Sequence, residues 1–110
     1  MKNEPLKNKL LASLMHLLSI FLTFLLPLIV YLIARKRSEY FTFHAKEGLN
    51  LHFTFFPIFI LLTFLSKNWS PATQISLTVI VIEAILILMA IFFTLKGKKF
   101  NYPVIRYFKV

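Results

Sequence analysis

Residues 10–34 read LLASLMHLLSIFLTFLLPLIVYLIA, 25 residues without a charge. How this run is threaded decides the fold. A membrane helix needs about 20 apolar residues, and at ~1.5 Å per residue this run covers ~37 Å. That is enough to cross a bilayer with length to spare, and Pro27 removes an intrahelical bond where a kink can form. Two further runs follow, residues 49–65 and residues 75–95, the latter interrupted by a single acid, Glu83. They cover ~25 and ~31 Å. None of the three alternates in polarity as a barrel strand does. The expectation is an all-α membrane protein with three transmembrane helices at about residues 10–34, 49–65 and 75–95. All lie in one integral membrane domain spanning residues 1–110.

The composition agrees. Hydrophobic residues make up 58% of the chain and charged ones 15%, against about 45–50% and about 25% in soluble domains. The formal charge of +9 would point to nucleic acid in a soluble protein. Here the cations sit in short clusters between apolar runs, which suits an anionic lipid surface and not nucleic acid. Cysteine is absent, so disulfides and thiolate metal sites are excluded. The first run is longer than a signal-peptide core and ends in IARKRSEY, a stop-transfer pattern, so it is expected to remain in the mature chain.

Three spans would place the N-terminus and the 66–74 loop on one side, with Lys2, Lys7, Lys9 and Lys67. The 35–48 loop and the tail would hold the other nine of the 13 basic residues. Cytoplasmic loops carry the excess of Lys and Arg, so the predicted orientation in the cell membrane is N-terminus outside and C-terminus cytoplasmic. Arg35, Lys36, Arg37, Lys98, Lys99 and Arg106 are then expected at the lipid surface. The tail KGKKFNYPVIRYFKV would lie on the headgroups, with Phe100, Tyr102, Tyr107 and Phe108 dipping in.

Polar residues inside or beside the apolar runs are the candidates for function. The stretch FHAKEGLN, residues 43–50, extends the short second span backwards as an interfacial helix start. At about 100° per residue, Lys46, Glu47, Asn50 and Thr54 share one arc, with His44 at its edge. That arc reads either as a partner or assembly face, or as an anchor that sets the depth of the helix. Pro57 frees the carbonyl of Phe53, and Thr54 is near enough to bond it. Within the spans, His16 and Glu83 fall at similar depth and could pair across helices. Such a pair could relay protons or simply hold the bundle together. No metal site is expected, since His44, Glu47 and His52 do not form a ligand set. Neither a phosphate loop nor a catalytic constellation is present, so no cofactor and no enzymatic activity are expected.

The order MHLLSI, then PLIVYLIARKRSEYFTFHAKEGLN, then KGKKFNYPVIRYF resembles a family of small bacterial and archaeal membrane proteins related to the magnetosome membrane proteins MamF and MmsF. It is more distantly similar to the twenty-kilodalton Tic subunit of chloroplast import. His44, Lys46, Glu47, Leu49 and Asn50 match the family's central motif, with Gly48 where the family usually has Ala. Tyr102-Pro103 with Arg106 matches its closing motif, and His16 a His near its start. Glu83 matches nothing in the family pattern. The resemblance implies assembly more than catalysis: a non-enzymatic scaffold or accessory subunit, acting as a homo-oligomer or with a membrane-protein partner. The alternative is an oligomeric permeation subunit using Glu83 and His16. Bacteriocin self-immunity is a third, more distant reading.

Overall fold

The computed structural model describes residues 4–108. Among them are four helices and no strand: α1 (Leu6–Leu22), α2 (Leu25–Ala34), α3 (Glu39–Leu65) and α4 (Pro71–Leu95). The helix starts follow local chemistry. Ser38 caps α3, its Oγ accepting from the Phe41 N–H at 3.2 Å, and Glu39 sits in the first turn, where the helix dipole favours an acid. The helix therefore begins ten residues before the apolar run and carries FHAKEGLN within it, as expected. Pro71 opens α4 at a position where its missing N–H costs nothing.

The first apolar run is not one helix. The α1 ladder closes on Thr23, whose N–H donates to the Ser19 carbonyl at 2.8 Å. Thr23 then adopts φ 55°, a backbone region a β-branched residue enters only under strain. Four residues on, Pro27 explains the break: it has no N–H to offer the Thr23 carbonyl, and its ring would collide with that carbonyl in a continuous helix. The chain therefore turns back. Leu11, Leu14 and Leu18 of α1 face Leu26 and Val30 of α2 across an apolar groove of about 210 Å³. The kink expected at Pro27 is thus a complete reversal.

This corrects the expected three spans. Among the described residues, only α3 and α4 are long and apolar enough to cross a membrane. At ~25 and ~15 Å, α1 and α2 each fall short of a bilayer core of about 30 Å. The reversal also places the start of α1 beside the end of α4: Lys9 Nζ lies 3.0 Å from where a Cβ would stand on Gly97. The α1 start, the α2–α3 turn and the tail thus share one end of a fold 51 Å long. The other end is the α3–α4 turn alone. The expectation of chain ends on opposite faces presupposed three crossings, and the hairpin removes that premise. Lys2 and Lys109 lie outside the described residues.

Packing follows the logic of a membrane interior. α1 turns Ala12, Ser13, His16 and Ser19 inward, and α4 turns inward Ala90 and Thr94, small groups that let helices approach closely. Large apolar side chains point out: Phe21 is 78% exposed, Leu77 59% and Val81 56%. In water such a surface would be an aggregation liability; in lipid it is the solvent-facing side. At the α2–α3 contact, Gly48 fits under the Pro27 ring, because a Cβ there would stand 2.9 Å from Pro27 Cγ.

Candidate functional site

Three side chains of α3, His44, Glu47 and Asn50, are spaced by three residues and so share a face. All are buried, Glu47 and Asn50 completely. The tail, residues 98–108, covers Glu47 and Asn50, and His16 of α1 covers His44. The Val104 N–H returns to the Tyr102 carbonyl at 2.8 Å, a tight turn around Pro103. That turn swings Arg106 back onto Glu47.

Glu47 Oε1 accepts from the Tyr102 backbone N–H at 2.7 Å and from Arg106 Nη1 at 3.1 Å, while Arg106 Nη2 is bonded to Oε2. Arg106 Nη1 also donates to the Tyr102 carbonyl at 3.0 Å. A carboxylate away from water is tolerable only when its charge is matched and its lone pairs are used. Both conditions are met here, with the guanidinium reaching in from the surface. Asn50 treats Phe108 as a strand would treat a neighbour: its Nδ2 donates to the Phe108 carbonyl at 2.8 Å, and its Oδ1 accepts the Phe108 N–H at 2.7 Å. An amide side chain supplies both a donor and an acceptor for a segment that has no ladder of its own.

The tail also reaches α1. The Tyr102 hydroxyl lies 3.0 Å from His16 Nδ1, and His16 Nε2 lies 3.1 Å from His44 Nδ1. Burial, reinforced by the negative charges of Glu47 and then Glu83, pushes the Tyr102 phenol well above its ordinary value, so it stays protonated. Tyr102, His16 and His44 thus form one hydrogen-bonded chain, which neutral tautomers satisfy in either direction. Aromatic contacts complete the clasp: Phe100 stacks on Phe93 with centroids 5.4 Å apart, and Phe108 on Phe53 at 6.0 Å.

The family model for the magnetosome magnetite crystal formation proteins matches residues 7–108, nearly the whole chain. The chain belongs to this family. No curated protein and no solved structure matches it. Family membership together with two membrane-length helices makes it a membrane protein. The motifs that carried the resemblance, His16, His44–Asn50 and Tyr102–Arg106, are separated in sequence by up to 86 residues and meet in one hydrogen-bonded cluster.

The structure sorts the expected site residues accordingly. The face expected to receive a partner is occupied within the chain, Glu47 and Asn50 by the tail and His44 by His16 of α1. Lys46 stays half-exposed beside it. Thr54 Oγ1 donates to the Asn50 carbonyl at 2.8 Å and not to that of Phe53, because the hydroxyl of a helical Thr reaches the carbonyl one turn back. His16 and Glu83 do not meet. His16 belongs to the clasp, while Glu83 faces His52, Oε1 to Nδ1 3.7 Å, beside a cavity of about 50 Å³ also lined by Thr23 and Phe24. His52 Nε2 is buried there without a partner among the described residues. Arg35, Lys36, Arg37, Lys98 and Lys99 are exposed at the clasp end, whereas Arg106 is committed to Glu47. Tyr102 and Phe108, expected to dip into headgroups, instead hold the tail to the helices. The signal for that was present as an acid, Glu47, and a lone tail arginine, Arg106, in two separate motifs.

Proposed function

We propose that this chain is a non-enzymatic scaffold or accessory subunit of a membrane, inserted with both described ends on the cytoplasmic side. The observation that supports the role is the clasp. The polar side chains that distinguish the family's motifs satisfy one another, and what they build is a firm platform of tail and basic turn at one end of the bundle. The orientation rests on charge: every described Lys and Arg except Lys67 lies at that end, and cytoplasmic segments carry the positive excess. The platform offers Arg35, Lys36, Arg37, Lys98 and Lys99 to anionic headgroups, each worth about 1 kcal/mol near such a surface. It also offers a rigid face to a second copy or another membrane protein. In the family's setting, the formation of magnetite crystals inside a membrane compartment, this is the role of a component that organises the enclosing membrane.

The test is photo-cross-linking in native membranes with the probe at Lys98. Discrete protein adducts are expected from the intact chain. Arg106→Ala, which opens the clasp, should abolish them while the chain remains membrane-inserted. Lipid adducts alone, or adducts unchanged by Arg106→Ala, would overturn the scaffold reading.

A further inference from the structure

The two ends of the molecule differ in width, and the cause is the depth of the first hairpin. Its tip is Thr23–Phe24. The Phe24 ring packs on Phe53 and Phe56, with centroids 5.4 and 5.8 Å away, and the tip shares a cavity with His52 and Glu83. Phe56 lies 17 residues into α3, and nine more residues of α3, ~14 Å of helix, continue beyond it. Glu83 lies 12 residues into α4, so ~18 Å of that helix precede the tip level. Where α3 and α4 cross the bilayer, α2 reaches only about its middle, and the ~25 Å α1 also stops short of the far side.

The hairpin enters the hydrocarbon from the clasp side and does not lie on the surface. Leu14, Leu17 and Phe21 of α1, and Ile29 and Leu32 of α2, are exposed apolar side chains. Its two ends carry Lys7 and Lys9, and Arg35 to Arg37, which hold them at headgroup level. A ten-residue α2 is ~15 Å long, about half of a 30 Å core. Helices about 10–12 Å wide each occupy ~80–110 Å² of membrane plane. The clasp-side leaflet therefore accommodates up to ~200 Å² more protein than the other, before the tail is counted. A bilayer relieves such a mismatch by bending so that the crowded leaflet is convex.

We propose that this protein is a curvature-preferring wedge, which favours membranes whose clasp-side leaflet is convex. Its target is the bilayer itself in a curved state, and no partner protein is required. The proposal rests on the depth of the hairpin and not on the scaffold reading, so either can fail alone.

Full-length protein is reconstituted into giant phosphatidylcholine vesicles, from which narrow membrane tubes are pulled. The chain has no cysteine, so Lys98→Cys, labelled with an impermeant dye on one side only, reports molecules of one orientation. Molecules with the clasp side on the outer, convex leaflet should be severalfold denser per area in the tube than in the parent vesicle. Those with the clasp side on the inner leaflet should be depleted. Equal densities for both orientations would overturn the proposal. So would a second copy filling the narrow half, since it equalises the widths and removes the asymmetry. As a second measurement, Thr23→Leu with Pro27→Ala removes both causes of the reversal. If a dye at Lys9→Cys then becomes accessible from the opposite side to Lys98→Cys, the enrichment must vanish; enrichment that survives in that crossed form would equally overturn it.

Discussion

Residues 10–34 and 75–95 look alike by hydropathy, yet the first folds back and the second runs straight through. The first has no charge at all and the second contains Glu83, so charge works in the wrong direction to explain the difference. What separates them is backbone and polar placement. The first contains Pro27 and a turn at Thr23, and its inward face, Ser13, His16 and Ser19, ends in a hydrogen bond to the tail. The second contains no proline. Its inward face, Ile87, Ala90 and Thr94, makes no side-chain hydrogen bond to the tail among the described residues. Ile87 and Ala90 pack by apolar contact with Leu51, Phe55 and Tyr102. Length of apolar sequence sets what can cross a bilayer. Where the polar face finds its partner decides what does.

If the folded-back arm depends on its hydrogen bond to the tail and the straight arm only on apolar contacts with it, removing the tail's anchor should separate them. Arg106→Ala leaves Glu47 buried and uncompensated, at an expected cost of about 3 kcal/mol. Hydrogen exchange in detergent micelles should show protection lost along α1 and the tail while the outer halves of α3 and α4 keep theirs. Uniform loss across all four helices would show that the two arms are one cooperative unit.

The next largest effect is expected at the seam between the arms. Gly48→Ala places a Cβ 2.9 Å from the Pro27 ring, and overpacking of this kind costs about 1–3 kcal/mol. The helical preference for Ala returns up to ~1 kcal/mol, so a net loss of about 1 kcal/mol is expected by thermal unfolding. Pro27→Ala in the same chain should recover part of it, a coupling that a double-mutant cycle reads directly.

Tyr102→Phe removes one hydrogen bond to His16 and should cost about 1 kcal/mol. The raised phenol also has a pH signature. Because the folded state resists ionisation, its stabilisation is complete below the unfolded value near 10.0. Above that it falls by up to ~1.4 kcal/mol per pH unit until the folded group itself ionises. The alkaline limb of stability against pH should be steeper in the intact chain than in Tyr102→Phe. Smallest of all, Glu83→Gln should change stability by well under about 1 kcal/mol, since Glu83 makes no hydrogen bond shorter than its 3.7 Å approach to His52. A large loss would mean that the straight arm, too, relies on a polar contact.

Much of this was legible beforehand. Helices, membrane character and the early start of α3 follow from apolar runs, the absence of alternation and the shortness of the second run. Pro27 announced a disturbance but not its size. A kink and a reversal share the same missing hydrogen bond, and only the packing of α2 under Gly48 and of α1 against α4 selects the reversal. The clasp was harder still. Helical spacing puts His44, Glu47 and Asn50 on one face but does not say what covers it. A tail rich in basic and aromatic residues reads equally well as lying on headgroups. The pairing of Glu47 with Arg106 spans 59 residues, far beyond any periodicity, and only the two family motifs hinted that both ends belonged together.

The clasp also has a consequence for how the chain is made. Glu47 leaves the ribosome 59 residues before Arg106. At about 5–20 residues per second the carboxylate waits roughly 3–12 s for its counter-charge. During that interval α3 carries an unmatched acid and an unpaired amide at the membrane boundary, and α1 has no Tyr102 to lean on. Residues 102–108, translated after all four helices, therefore finish the interior of the first helices, and a messenger truncated just short of Arg106 would yield a chain that inserts but cannot close.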